Sequence, residues 1–128
     1  MDNIYKSFEG GSIYTLSDTI SSESIDFVPH PKFKGVFLKH LVTGKMTNNQ
    51  ISCHLVKVEP YSELELHTHN DNLEIHEIIA GNGTCYIAEK KVTYSLGTVA
   101  VIPANVPHKV TAGAEGIYIL AKFTPALV

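Results

Sequence analysis

Two short segments of the chain collect side chains that are suited to binding a transition metal. The first segment contains His67, His69 and Glu74, and the second places His108 after the rigid segment 103–107. Three neutral imidazole nitrogens and one carboxylate oxygen suit Fe, Mn, Ni, Cu or Zn, and they leave coordination positions open on a five- or six-coordinate ion. The sequence therefore predicts a divalent transition metal, of unspecified identity, as the cofactor.

The spacing of these residues indicates how they could converge. His67 and His69 are two positions apart, so both project from one face if they lie on a strand. Residues 70–73 predict a turn that brings the next strand back antiparallel beside the first. Glu74 and His76 share one face of that returning strand, and His108 arrives from a later one.

Several neighbouring residues have more than one interpretation. His76 is the candidate for acid–base catalysis, but it could also orient a metal ligand or simply be hydrogen-bonded inside the protein. Glu77 should face away from the site, although a register shift of one residue would make it the carboxylate instead of Glu74. His54 is predicted to be a core histidine. His30 and His40 are expected to be structural or exposed.

The elements that must position these residues are short strands. Alternating apolar segments predict strands at 35–42, 51–58, 63–69, 74–80, 84–88, 92–95, 98–102, 108–112 and 117–123. Turn signals separate many of them, among others at 81–83 and at Gly113. No convincing amphipathic helix is evident. Closely spaced strands of this kind predict an all-β sandwich or barrel.

The 128 residues predict one domain, residues 1–128, with a barrel over 33–123 and an N-terminal arm over 1–30. The arm contains the polar stretch 17–24 and ends at Pro29-His30-Pro31, which favours an extended backbone. Two interpretations remain open for it. The arm either wraps the surface of its own domain or adds a strand to the sheet of a neighbouring subunit.

Three lysines predict which way their strands face, because a buried unpaired lysine is rare. If Lys57 points outward, His54 points inward, since successive side chains alternate. If Lys109 and Lys122 point outward, His108 and Phe123 point inward. The lysines thus place His108 in the interior without using its spacing from the other candidate ligands.

Composition excludes several classes of function. The net charge of −3, without any run of Lys or Arg, gives no reason to expect nucleic-acid binding. The longest apolar runs, such as 99–102, are too short to span a membrane. The N-terminus lacks the layout of a signal peptide, so a cytoplasmic location is expected. In that setting Cys53 and Cys85 would be reduced and serve as small core residues.

The two metal-site segments resemble the paired motifs of the cupin superfamily. Cupins carry Gly-x5-His-x-His-x3–4-Glu-x6-Gly, followed by Gly-x5-Pro-x-Gly-x2-His-x3-Asn. This chain matches the first motif from its histidines onward and most of the second, with His67-x-His69-x4-Glu74-x6-Gly81 and Gly97-x5-Pro103-x-Asn105-x2-His108. It departs from them at the first motif's leading glycine and at the second motif's glycine and asparagine, where it has Tyr61, Asn105 and Ala112.

The resemblance covers roughly residues 51–123 and implies a small single-domain cupin, a double-stranded β-helix barrel similar to a jelly roll. It implies that His67, His69, Glu74 and His108 are the four metal ligands. It also implies a metalloenzyme of oxygenase, isomerase or lyase type that acts on a small molecule. The alternative is an accessory cupin that binds a small ligand without turnover. Cupins of this length are usually homodimers, so a dimer is expected.

Overall fold

The computed structural model describes residues 3–128, which fold into a mainly β structure. Within that range lie the helix α1 (Ile4–Glu9) and ten strands. The strands are β1 (Ser12–Tyr14), β2 (Thr19–Ser21), β3 (Val28–Pro29), β4 (Val36–Val42), β5 (Ser52–Val58), β6 (Glu63–His67), β7 (Leu73–Ile87), β8 (Lys90–Tyr94), β9 (Val99–Ile102) and β10 (His108–Thr124).

All strand pairings are antiparallel. Strands β1 and β2 form a separate hairpin, and the other eight belong to one sheet with the order β3-β4-β5-β10-β7-β8. Strand β6 also pairs with β10, and β9 also pairs with β7. These additional pairings connect two layers of strands around a shared interior. The predicted all-β, jelly-roll-like barrel is confirmed.

Two predicted turns are bends inside long strands. The segments 74–80 and 84–88 form the continuous strand β7, and 108–112 and 117–123 form β10. Gly81 and Gly116 have φ values of +74° and +77°, and a Cβ atom on Gly81 would lie 2.1 Å from the carbonyl oxygen of Gly116. The glycines at these bends therefore allow two backbones to pass closely while pairing continues. The sequence signals are correct, but their interpretation as chain reversals was wrong.

The predicted hairpin between the first two metal-site strands is also wrong. Strand β6 pairs with β10, and in that pairing His67 lies opposite His108. The first half of β7 has other partners, namely β9 and the second half of β10. The connection 68–72 therefore crosses from one layer of the barrel to the other. Glu74 reaches the histidines across the interior rather than from a neighbouring strand.

Apolar side chains form two separate cores. The larger lies inside the barrel and includes Val56, Ile78, Ile119 and Phe123. Facing inward with them are His54 and His108, both buried, while Lys57, Lys109 and Lys122 are only half-buried. The prediction drawn from the lysines is confirmed.

The smaller core lies on the outer face of the sheet, beneath the N-terminal arm. It contains Tyr5 from α1 together with Leu41, Leu55, Ile79 and Leu120. Helix α1 was not predicted from the sequence, because six residues are too few to show a clear helical periodicity. The arm wraps its own domain, and its strand β3 pairs with β4 of the same chain.

A buried lysine fastens the arm to the sheet. Lys39 is 3% exposed, and its Nζ donates hydrogen bonds to the carbonyl oxygens of Glu9, at 3.1 Å, and Ser22, at 2.8 Å. Glu9 is the last residue of α1, where carbonyl groups lack partners within the helix. Lys39 thus joins the helix and the following segment to the barrel.

Helix α1 is six residues long, and no helix in residues 3–128 is long and apolar enough to cross a membrane.

Candidate metal centre

His67 and His108 form the fixed part of the candidate site. The Nδ1–H of His67 donates to the carbonyl oxygen of Glu65 at 2.6 Å, and the Nδ1–H of His108 donates to that of Val106 at 3.0 Å. A carbonyl can only accept, so both rings carry their proton on Nδ1 when neutral. The Nε2 lone pair of each ring is therefore free to bind a metal.

His69 completes a group of three imidazoles. Strand β6 ends at His67, so His69 lies in the connection that follows it and not on the strand, contrary to the prediction. A hydrogen bond of 2.9 Å from the backbone N–H of Asn105 to the carbonyl oxygen of His69 holds this connection in place. Ring nitrogens of His67, His69 and His108 lie within 4.8 Å of one another, close enough to hold a metal ion.

Two of the three departures from the cupin motifs keep the backbone conformation that glycine usually provides. Tyr61 and Asn105 have φ values of +61° and +66°, in the left-handed region that most L-residues avoid. Asn tolerates this conformation better than other non-glycine residues, whereas Tyr does not. Both positions therefore adopt a conformation to which glycine is suited, with some strain at Tyr61.

Glu74 lies beside the three imidazoles and has one oxygen without a hydrogen bond. Its Oε1 is 3.1 Å from Nε2 of His108 and 3.7 Å from Nε2 of His69. The geometry between Glu74 and His108 is not that of a hydrogen bond, and both atoms are buried without another partner in the described chain. With His108 neutral, two lone pairs face each other, which is unfavourable unless a cation or proton lies between them.

The other carboxylate oxygen is held by His76. The Nε2–H of His76 donates to Oε2 of Glu74 at 2.7 Å, and its Nδ1 accepts the hydroxyl proton of Tyr94 at 2.8 Å. All three side chains are buried. Because protein groups occupy both ring nitrogens, His76 orients Glu74 in this structure. Its predicted role in acid–base catalysis stays a prediction.

The electrostatics of the site favour neutral imidazoles at His67 and His69 beside a negative carboxylate at Glu74. Burial lowers the pKa of His67 to about 4 and also lowers the pKa of His69. Burial opposes ionisation of Glu74, but His76 and His108 outweigh it and hold the pKa of Glu74 well below its usual range. Glu74 in turn raises the pKa of His108, despite its burial. These protonation states, apart from that of His108, suit metal binding.

Three of the four candidate ligands, His67, His69 and Glu74, line a small cavity of about 50 Å³ inside the barrel. Its walls are mainly apolar and include Leu38, Val56 and Ile119. Leu127 from the C-terminal segment and His30 from the arm also line it. His30 was expected to be structural or exposed, and its position at the cavity follows from the path of the arm, which no local pattern reveals.

The alternatives for two other residues are now decided by their contacts. Glu77 lies on the outer side of β7 and forms an ion pair with Lys122, so a register shift that would bring it into the cavity does not occur. His54 is a buried core histidine, as predicted. Its Nδ1 is 2.8 Å from Nδ1 of His40, and its Nε2 is 2.7 Å from Oγ of Ser52. Cys53 and Cys85 are both free thiols.

Comparison with known structures identifies the fold. A predicted oxalate decarboxylase from Thermotoga maritima is 23% identical, with a TM-score of 0.73 over 83% of this chain and 97% of that one. An RmlC-like cupin from Shewanella frigidimarina is 15% identical, with a TM-score of 0.72 over 91% and 95%. Ectoine synthase from P. lautus is 16% identical, with a TM-score of 0.70 over 80% and 73%.

Comparison of the sequence with curated proteins finds no match. The family model described as a cupin domain matches residues 54–120, which is more than half of the chain and includes all four candidate ligands. The motifs, the barrel and this match agree, and the chain belongs to the cupin family.

Proposed function

We propose that His67, His69, Glu74 and His108 together bind one divalent transition metal ion. The buried, unpartnered pair of Glu74 Oε1 and His108 Nε2 carries this proposal. A cation between these atoms would satisfy both at once, and the neighbouring imidazoles would supply two further nitrogens. The donor set of three nitrogens and one oxygen fits Fe, Mn, Ni, Zn or Cu.

The proposed activity is that of a small-molecule metalloenzyme of oxygenase, isomerase or lyase type. Bound there, the metal would supply Lewis-acid or redox chemistry at its open positions. The protein itself contributes apolar walls that exclude water, and His76 and Tyr94 hold the carboxylate of Glu74 in one orientation. His76 is also the candidate for acid–base catalysis, and in this structure its two ring nitrogens contact Glu74 and Tyr94.

A non-catalytic ligand-binding cupin is the second candidate. The cavity of about 50 Å³ restricts a bound ligand as much as a substrate, so turnover is what separates the two candidates. A substrate larger than a few atoms would require Leu127 or the His30 segment to move. A binding module would hold metal and gain stability from its ligand by mass action, yet show no turnover.

Metal loading of three variants tests the site itself. His67→Ala and His108→Ala should remain folded and lose the metal, together with any activity measured for the wild type. His40→Ala is a matched control, because His40 lies outside the cavity lining. Normal metal content in His67→Ala and His108→Ala would refute the proposed ligands.

We also propose that the protein is a cytoplasmic homodimer. Apolar side chains left exposed on the outer strands and the arm, such as Val99, Val101 and Leu16, support the dimer. Sedimentation of the full chain should give twice the monomer mass of 14.0 kDa. A monomer at micromolar concentration would refute the dimer.

A further inference from the structure

The histidine of the N-terminal arm has a defined proton position. Nδ1 of His30 accepts the backbone N–H groups of Lys32, at 3.1 Å, and Phe33, at 3.2 Å. A ring nitrogen that accepts two such bonds carries no proton, so the neutral ring has its proton on Nε2. Burial, with smaller contributions from Lys32 and His69, lowers the pKa of His30 and keeps the ring neutral.

The orientation of the His30 ring is fixed by its surroundings. Besides the two backbone bonds, the ring stacks on Phe33 with centroids 4.4 Å apart and planes 12° from parallel. The ring of Phe33 is in turn 5.6 Å from that of His67. The Nε2–H has no hydrogen-bond acceptor among residues 3–128. His30 therefore presents an oriented donor that the fold itself does not use.

The side chain of His30 also lines the cavity of the candidate metal centre. His30 lines it together with His67, His69, Glu74 and His76. The rest of the lining is apolar, with Leu38, Val56, Leu64, Ile119, Phe123 and Leu127. His30 is thus the polar lining residue that is neither a proposed metal ligand nor the histidine that orients Glu74. A ligand in this cavity would meet its side chain.

We propose that Nε2–H of His30 donates a hydrogen bond to a metal-bound ligand and so selects compounds with a second oxygen acceptor. The inference rests on the proposed metal site. A cavity of about 50 Å³ suits such a compound only if it has a few non-hydrogen atoms. The chemical class is a small carboxylate, with one oxygen on the metal and the other accepting from His30.

Two substitutions separate this role from a structural one. In His30→Asn the side-chain oxygen can still accept from the backbone of Lys32 and Phe33, but the distal N–H donor is lost. In His30→Gln the amide nitrogen can replace Nε2 as a donor, but the short acceptor to the backbone is lost. A residue that only shapes the turn would tolerate Asn better, whereas a ligand donor would tolerate Gln better.

The experiment uses the full chain loaded with Co²⁺, whose visible spectrum reports a new ligand, and formate as the probe. We expect wild type and both variants to bind equal Co²⁺. The affinity for formate should fall at least about tenfold in His30→Asn relative to the wild type, which is the loss expected for a hydrogen bond to a charged group. It should fall less in His30→Gln.

Each of the remaining outcomes overturns either the role of His30 or the metal site. Equal formate affinity in wild type and His30→Asn overturns the role of His30, as does a larger loss in His30→Gln than in His30→Asn. A wild-type protein that binds Co²⁺ but not formate also overturns it, while the metal site stands. Failure of the wild type to bind Co²⁺ overturns the proposed metal site and this inference with it.

Discussion

At the scale of single residues, the candidate site depends on which carboxylate faces the histidines. Glu74 and Glu77 are three positions apart, and the alternation along β7 sends them to opposite sides of the strand. Glu74 contacts His76 and His108, whereas Glu77 pairs with Lys122 on the outer face. The spacing in the sequence favoured Glu74 but left Glu77 open, because a register shift of one residue would exchange their sides. The ion pair of Glu77 with Lys122 excludes that shift.

Substituting the two glutamates separately tests this choice. Glu74→Gln should stay folded, since the amide oxygen can still accept from His76, but should bind metal about 100-fold more weakly or worse. A loss of metal affinity of this size exceeds most of those caused by removing a residue that only hydrogen-bonds to a metal ligand. Glu77→Gln is the matched control and should bind metal as the wild type does. Titration with Co²⁺ or Zn²⁺ measures both, and similar losses in both variants would contradict the assignment.

The strained residue Tyr61 permits a prediction of increased stability. Its left-handed backbone conformation costs roughly 1–2 kcal/mol for a non-glycine residue, and glycine gives back part of this through the entropy of the unfolded chain. Tyr61 is 74% exposed, so little packing is lost. Tyr61→Gly should therefore raise the free energy of unfolding by up to about 1 kcal/mol.

Tyr14 offers a matched control for that substitution. It is 75% exposed and lies in strand β1, where glycine is unfavourable. Urea titration measures both variants, and Tyr14→Gly should lower the free energy of unfolding. If Tyr61→Gly is destabilising to the same degree, backbone strain at Tyr61 is not the dominant effect.

At the scale of elements, the sequence predicted the strands better than their connections. Period-2 alternation identifies a strand from local residues alone, and it located segments of every strand from β4 to β10. The continuous strands β7 and β10 were divided in the prediction because glycine marks both a reversal and a bend. The pairing of β6 with β10 depends on contacts far apart in the sequence, which local patterns do not contain.

The N-terminal arm shows the same limit. Residues 3–11 carry no strong periodicity, yet they form α1 and cover the outer core. Lys39 was not considered among the lysines that orient strands, and it is the buried exception to the rule. Its ammonium group satisfies carbonyl groups of the arm, a role that the sequence around position 39 does not reveal.

Replacing Lys39 tests how the arm is held. Lys39→Met keeps the length of the side chain but leaves the carbonyl oxygens of Glu9 and Ser22 without their donor. We expect a loss of about 1–3 kcal/mol in the free energy of unfolding and faster cleavage after Lys6 by trypsin. Lys90→Met, at an exposed position, is the control. Unchanged stability and cleavage in Lys39→Met would contradict the fastening role.

At the scale of the whole molecule, the candidate site joins distant parts of the chain. Its proposed ligands come from β6, the connection after it, β7 and β10, while His30 of the arm and Leu127 of the C-terminal segment also line the cavity. A metal bound there would cross-link both layers of the barrel. Metal binding should therefore stabilise the entire fold and not only the site.

The buried histidines give the metal-free protein a defined pH dependence. Burial lowers the pKa values of His54 and His67 to about 4, from 6.5. The unfolded chain therefore binds more protons between pH 6.5 and 4, and stability falls as pH decreases through that window. The raised pKa of His108 acts in the opposite direction, but it is a single group.

The corresponding measurement is the melting temperature of the metal-free chain at pH 7 and pH 5, which should be lower at pH 5. Protons also compete with the metal for the imidazoles. The rise in melting temperature that added metal causes should therefore be smaller at pH 5 than at pH 7. A melting temperature that does not change between the two pH values would show that these histidines do not limit stability.

Elemental analysis of freshly purified protein, followed by thermal unfolding with and without a chelator, tests the metal site most directly. We expect about one equivalent of Fe, Mn, Ni, Zn or Cu per chain in the wild type and far less in His67→Ala. We also expect a melting temperature that falls on chelation and recovers when the metal is restored. A wild-type protein that contains none of these metals, and whose melting temperature none of them raises, would contradict the proposed metal site.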